Sequence, residues 1–414
     1  MNTLLQSVTL HEKAHPLHNK IVDIRISNGI IAAIKEQLTV EPTDTVVPLK
    51  GTSVSYGWFD PEVSFSQPGY EHKGMLVNDL NEAAQLGIAS VGLMSDTLPH
   101  PDNGSALSFY KGFDRHPVSL HPFGSLTLKN KGEELAELYD LFDQGALAFY
   151  DYKRPLLEPN LMKLALQYSQ NFGGRLAVFC QDPSLSKGGQ VRESIANSTL
   201  GLKAIPDLSE ELAVQQSISL LRYTGGKLHL SGISNRSSLT RIEQAKKEGL
   251  DLSCSVSVGL LYFDEERLQS FDSRYKTLPG LTDSATREAL VEAVQSGVID
   301  YVTADHQNVS LEEKDIEFSE ASFGSRTLSA LFPALCAIYG ADETVELLKR
   351  AYQVYELDRA EIKEHSRAHL SFFRPLEHTI IEKEAQTHLF HGISFSHRGI
   401  GIFANNELVL SSTP

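Results

Sequence analysis

Apolar and polar positions along the chain fall into three textures. Residues 1–50 carry short β-branched runs broken by turn residues: LLQSVTL (4–10), IVDIRISNGIIAAI (21–34) and TVVPLK (45–50). Asn28-Gly29 between two such runs is a hairpin signal, because both residues tolerate the left-handed backbone of a tight two-residue turn. From about residue 55, amphipathic helical stretches alternate with short apolar runs. LVNDLNEAAQLG (76–87) precedes ASVGLM (89–94), and a helix over 133–143 precedes GALAFYD (145–151). Helices over 160–174, 209–226, 237–249 and 287–297 precede strands RLAVFC (175–180), KLHLSGIS (227–234), LDLSCSVSV (250–258) and VIDYVTAD (298–305).

Repeated helix–strand units with short loops predict a parallel sheet. Their number and length favour an α/β fold, a (β/α)8 barrel, over an open sheet. After a helical stretch ending near residue 364, β texture returns in 369–381, THLFHG (387–392) and GIGIFANNELVLSS (399–412). The predicted organisation is a small β-sandwich domain of residues 1–54 plus 365–414, built from both chain ends, flanking a barrel of residues 55–364.

Composition narrows the partners. Lys and Arg total 37 against 53 Asp and Glu, a formal charge of −16, which argues against nucleic acid and anionic membrane. No apolar run approaches the roughly 20 residues of a membrane helix, and the N-terminus lacks the pattern of a secretory signal. Cys180, Cys254 and Cys336 are dispersed with no CxxC, which fits a reduced, cytoplasmic compartment.

A barrel places its chemistry at the C-terminal ends of its strands. Those ends are Asp60 to Ser66, Ser95-Asp96, Asp151, Phe179 to Asp182, Ser231-Gly232, Ser257 to Leu261 and Asp305-His306. Asp151 and Asp305 are well-placed carboxylates, which Asp60, Glu62 and Asp96 could join. Of 15 histidines only His306 falls clearly at such an end. The plain reading of an isolated strand-end Asp is a helix cap or a loop acceptor. Glu62 reads plainly as solvated or paired with a Lys or Arg, and His229, inside a strand, as a satisfied core histidine. His365, His369, His378, His388, His391 and His397 have irregular spacings without ligand logic, which predicts surface or β-pairing roles. No Walker A loop, GxGxxG after a strand, HExxH or GxSxG is present.

Several phrases, in colinear order over nearly the whole chain, resemble the dihydroorotases, cyclic amidohydrolases of pyrimidine synthesis. DIRISNGIIAAI resembles that family's "DI-I-GKIAAI", GWFDPEVSFSQPGYEHK its "G-ID-HVH-R-PG-E-K", and VGLMSDTLP its "V-MPNT-P". GALAFYDYKRP is similar to "GA-AFSDDG-P", KLHLSGISNRSSLTRIEQAKKEG to "-HICHVST--S---I--AK--G", and the stretch from TLPGLTDS to VTADH to "NPPLR----R-AL---L--G-ID-I-TDH".

The resemblance implies a zinc centre of four histidines, a bridging carboxylate and an Asp. The two histidines of HxH fall on Glu62 and Ser64, the third on Phe179 and the fourth on Gly232. The bridging group falls on Asp151 and the general base on Asp305, and both are retained. The substrate-clamping Arg falls on Ser66, the Asn of "PNT" on Asp96, the Asn of "NPPLR" on Leu278, and the second histidine of "DHAPH" on Val309. Zinc requires imidazole, thiolate or carboxylate donors. Without it bound water keeps a pKa near ~15.7 instead of about 7, and Asp305 becomes a vestigial base. No cofactor is expected. The resemblance then implies a pseudo-dihydroorotase, a non-catalytic partner of aspartate carbamoyltransferase or a self-associating scaffold. Two alternatives stand beside it. One is an active cyclic amidohydrolase holding zinc or another single metal on Glu62, Asp151 and Asp305, with His306 or Asp96 assisting. The other is a protein that binds a small molecule in the vacated pocket.

Overall fold

The computed structural model describes residues 2–155, 158–357, 361–381 and 386–411. Strands from both chain ends form one eight-stranded sheet. Asn2–His11, Ile21–Ser27, Ile30–Lys35, Asp44–Pro48 and Ser53–Tyr56 come from the N-terminal end; Leu370–Ile380, Ser394–Ala404 and Glu407–Leu410 come from the C-terminal end. Asn28 (φ 51°) and Gly29 (φ 77°) turn the second strand into the third, as a two-residue hairpin demands. Ser53–Tyr56 pairs antiparallel with Leu370–Ile380 and sews the two ends together.

The barrel follows at once. Its first three strands are Trp58–Ser64, Ile88–Leu93 and Ser119–Pro122, paired in parallel. The predicted strand over 145–151 is reduced to a narrow segment. On one side Leu147 N and Tyr150 N donate to the Pro122 and Gly124 carbonyls; on the other, Phe149 N donates to Arg175 O and Ala177 N to Phe149 O. Arg175–Phe179, Lys227–Ser231, Leu252–Ser257 and Tyr301–Thr303 are the fifth to eighth strands, again parallel. The eighth strand is broken. Asp305 adopts φ 52°, and the chain resumes as His306–Gln307, which pairs with the first strand at Val63 and Ser64. The ring of pairings is therefore completed by two halves of one strand.

Helices cover the outside where the apolar periodicity placed them, with local caps. Asn235 accepts from Ser237 N to open Arg236–Lys247, and Asp283 accepts from Thr286 N to open Ser284–Ser296, which stops at Gly297 (φ 80°). The helix expected over 133–143 is shorter, Leu138–Asp143. Its first residues pair instead with 126–128, through Leu128 N to Glu134 O and Ala136 N to Leu126 O. THLFHG is not a strand but a turn with one bridge, Arg326 to His388. It is held by Phe390 N donating to His388 Nδ1. Among the described residues no helix is long and apolar enough to cross a membrane.

The barrel interior is filled with aromatic rings. Phe59, Phe123, Tyr150, Tyr301 and Tyr355 are buried in one cluster with the inner face of the end sheet. Tyr355 follows the helix Arg350–Val354 and enters from below, 5.7 Å from Phe123 and 6.0 Å from Tyr301 between ring centres. Such a barrel is a packed core, not a pore.

Candidate active site

Glu62 sits on the first strand and turns inward, 3% exposed. Oε1 accepts from Ser255 Oγ at 2.6 Å and Tyr301 Oη at 2.8 Å, with His229 Nε2 at 3.3 Å; Oε2 accepts from Ser231 Oγ at 2.6 Å. Burial opposes the charge, but the hydrogen bonds and charge of His229 and the two serine hydroxyls outweigh it and hold the carboxyl at about 2. Glu62 is thus neither solvated nor paired with a Lys or Arg, as its plain reading predicts. The interior offers hydroxyls and an imidazole from three other strands instead. His229 is fully buried, stacked on Tyr301 (5.0 Å, 3°), with Nδ1 2.9 Å from Ser253 Oγ.

The other carboxylates are tied separately. Asp60 accepts from Thr303 Oγ1 at 2.6 Å and Ala304 N at 3.1 Å, bonding the first strand to the eighth, and burial lifts it to about 7. Asp151 accepts from Leu126 N and Thr127 N, both at 2.9 Å, and from the Thr127 hydroxyl. Burial raises its pKa against those bonds. Asp305 accepts from Lys153 Nζ at 2.7 Å and Tyr152 Oη at 3.1 Å. Burial raises it too, with Lys153 opposing.

At the mouth, Ser64 Oγ donates to Asp96 Oδ2 at 2.5 Å, while Asp96 Oδ1 is buried with no partner among the described residues. Ser66 and Val309 are buried. Gly232 has φ 69°, and a Cβ there would lie 3.3 Å from Pro279 Cδ and 3.7 Å from the Phe179 ring. Phe179, Gly232 and Pro279 therefore close the side where two of the matched histidines would stand. Leu278 packs against the same interior cluster that holds Phe179. His306, the one strand-end histidine, is structural. Its Nδ1 accepts from Thr327 N and Leu328 N at 3.0 and 3.1 Å, and its Nε2 lies 3.0 Å from Asn308 Oδ1. Burial drops it to about 3. His369 and His388 take the expected backbone-pairing roles, through Gly57 N donating to His369 O and a bridge from Arg326 to His388, and their rings are held by Ser90 and Tyr352 and by Ser329 respectively. The side chain of His378 lies outside the described residues.

Sequence reasoning placed Ser231 at a strand end but missed Tyr152, Lys153, Ser253, Ser255 and Tyr301. One signal marked four of the network's members. His229/Ser231 and Ser253/Ser255 are polar residues at alternate positions of otherwise apolar buried strands, so each pair faces inward.

The residues present do not fit a zinc ion. Each matched carboxylate is engaged by protein donors, the Ser64 hydroxyl is given to Asp96, and Phe179 and Gly232 offer no ligand. Among the described residues no group of three or more His, Cys, Asp or Glu is placed to hold a metal ion.

The barrel with its sheet of both chain ends defines the amidohydrolase class of fold. L-hydantoinase (dihydropyrimidinase) from Arthrobacter aurescens superposes with a TM-score of 0.86 at 18% identity, over 100% of this chain and 96% of that one. A family model described as dihydro-orotase-like matches residues 54–238. The dihydroorotase of Pelotomaculum thermopropionicum is 33% identical over 303 residues, 73% of this chain and 71% of the relative. That of Caldicellulosiruptor saccharolyticus is 30% identical over 366 residues, 86% and 85% of the two chains. The chain belongs to the dihydroorotase-like family of cyclic amidohydrolases.

Proposed function

We propose that this protein is a non-hydrolytic dihydroorotase homologue that acts, in the cytoplasm, as the structural partner of aspartate carbamoyltransferase. One observation carries the reading: Glu62, at the first matched histidine, is turned into the barrel and held by Ser231, Ser255, Tyr301 and His229. A carboxylate already holding four polar contacts is a poor metal ligand, because coordination would strip those bonds from a buried group. The carboxylate-bound single-metal alternative meets the same obstacle at Asp151 and Asp305. The partner role rests on the family resemblance and on a retained barrel whose matched ligand positions are filled.

The test is purification from the native host, with metal analysis, a dihydroorotate hydrolysis assay and identification of co-purifying chains. Aspartate carbamoyltransferase at a fixed ratio, without stoichiometric metal or turnover, is the expected result. Stoichiometric metal with turnover would sink the proposal.

The small-molecule reading has one observation in its favour. A narrow cleft beside Phe179, about 420 Å3 with its open mouth included, is lined by Leu278, Pro279, Arg192 and Asp207. A melting-temperature shift with dihydroorotate or carbamoyl aspartate that is lost in Phe179→Trp would support it.

A further inference from the structure

A wide cleft lies at the end of the barrel opposite the strand ends that carry the family chemistry. It opens where the second and third barrel strands begin and where the chain returns to the end sheet. Its volume, open mouth included, is about 1280 Å3. The floor is polar. Tyr352 Oη donates to Ser90 Oγ at 2.8 Å, and His369 Nε2 lies 3.1 Å from Tyr352 Oη and 3.3 Å from Ser90 Oγ. His369 can sit so close to the first strand only because residue 57 is glycine: a Cβ there would overlap the imidazole.

Ser119 and His121 form the rest of the polar wall, with the His121 ring 5.5 Å from Phe59. The mouth carries Lys363, Arg367 and Glu361. Lys363 Nζ pairs with Glu361 Oε2 at 2.6 Å. The Arg367 guanidinium donates to the neutral Asn405 side chain, so its charge meets no described carboxylate. That charge reaches the floor. Burial and then Arg367 push His369 down to about 4, and burial pushes His121 to about 4. Both imidazoles are therefore neutral near pH 7, available as hydrogen-bonding groups under a local positive field.

A concave site with a few convergent polar groups is the usual form of a small-ligand site. In a chain of net charge −16, a cleft whose guanidinium meets no carboxylate among the described residues favours an anion. Arginine's planar fork suits carboxylate and phosphate alike. We propose that this cleft binds a small anionic molecule through its carboxylate or phosphate group, held by Arg367 and Lys363 at the mouth and by Ser119 and His121 within. The site owes nothing to a metal or to hydrolysis, so it stands apart from the fate of the strand-end chemistry.

The experiment is a thermal-shift titration of the full chain with inorganic phosphate and with succinate, each against sodium chloride at equal ionic strength. At least one probe should raise the melting temperature saturably. The charge-reversed double variant Lys363→Glu, Arg367→Glu should weaken that response about tenfold or more. Lys247→Ala, at an exposed helical lysine far along the chain, should leave it unchanged. The stronger of the two probes names the anion class. No saturable shift with either probe, or an equal shift in the double variant, overturns the proposal. Both substituted side chains are exposed, so the variant is expected to fold, and its melting temperature in chloride checks that.

Discussion

Glu62 is a buried anion balanced by hydroxyl dipoles and an imidazole. In Glu62→Gln an amide N–H would face Ser231, Ser255 or Tyr301, all of which donate to the present carboxylate. The loss should be about 2–4 kcal/mol of unfolding free energy, read from urea denaturation. The pH dependence has two opposed limbs. Glu62 titrates at about 2 in the folded protein against 4.5, so its stabilisation is complete above pH 4.5 and is lost as pH falls from 4.5 to 2. Asp60 titrates at about 7 against 3.8. The folded chain holds a proton there that the unfolded chain releases. Asp60 therefore destabilises above pH 7 and is relieved as pH falls from 7 towards 3.8. The urea midpoint should be higher near pH ~5.5 than near pH ~8 and then drop below pH ~4.5. Glu62→Gln should flatten the acid drop, and an undiminished drop in that variant would refute the assignment.

Elements whose information is local were legible. The Asn28-Gly29 hairpin, the capped helices and the apolar strands follow from side-chain period and turn chemistry. What failed was decided by pairings that side-chain period does not encode, one with a neighbouring turn and one across the barrel. Residues 133–137 have helical texture, but the 126–128 backbone offers them pairing, and that same turn presents the N–H groups that bind Asp151. Asp151 and Asp305 were readable as retained strand-end acids, whereas the partners of Glu62 lie 167 to 239 residues away. Only the inward alternation of His229, Ser231, Ser253 and Ser255 hinted at them. The helix Arg350–Val354 and the residues after it act as a floor plug. Tyr355 Oη lies 2.8 Å from Tyr301 Oη, which donates to Glu62. Tyr355→Phe should cost roughly 1 kcal/mol by losing that bond. The effect should vanish in a Tyr301→Phe background if the two hydroxyls act as one chain, which a double-mutant cycle measures.

Across the whole molecule, the centre has been rebuilt rather than emptied. Restoring the matched histidines together, as Glu62→His, Ser64→His, Phe179→His and Gly232→His, should therefore not restore stoichiometric zinc or dihydroorotate hydrolysis. Position 232 has left-handed backbone and faces Pro279 at 3.3 Å, and the Glu62→His change would leave Ser231 and Ser255 without their acceptor. Zinc content by elemental analysis decides this; one equivalent of metal in the fourfold variant would show that the site is only vacant.

The broken eighth strand has a mechanical consequence. The barrel wall consists of two four-stranded half-shells that meet at Asp305 on one side and at the narrow 147–150 segment on the other. Ladders fail first where they are thinnest. Hydrogen–deuterium exchange should then find the earliest-opening barrel amides along these two fault lines, with each half-shell exchanging later as a unit, so that under stress the wall parts like a hinged shell instead of fraying strand by strand.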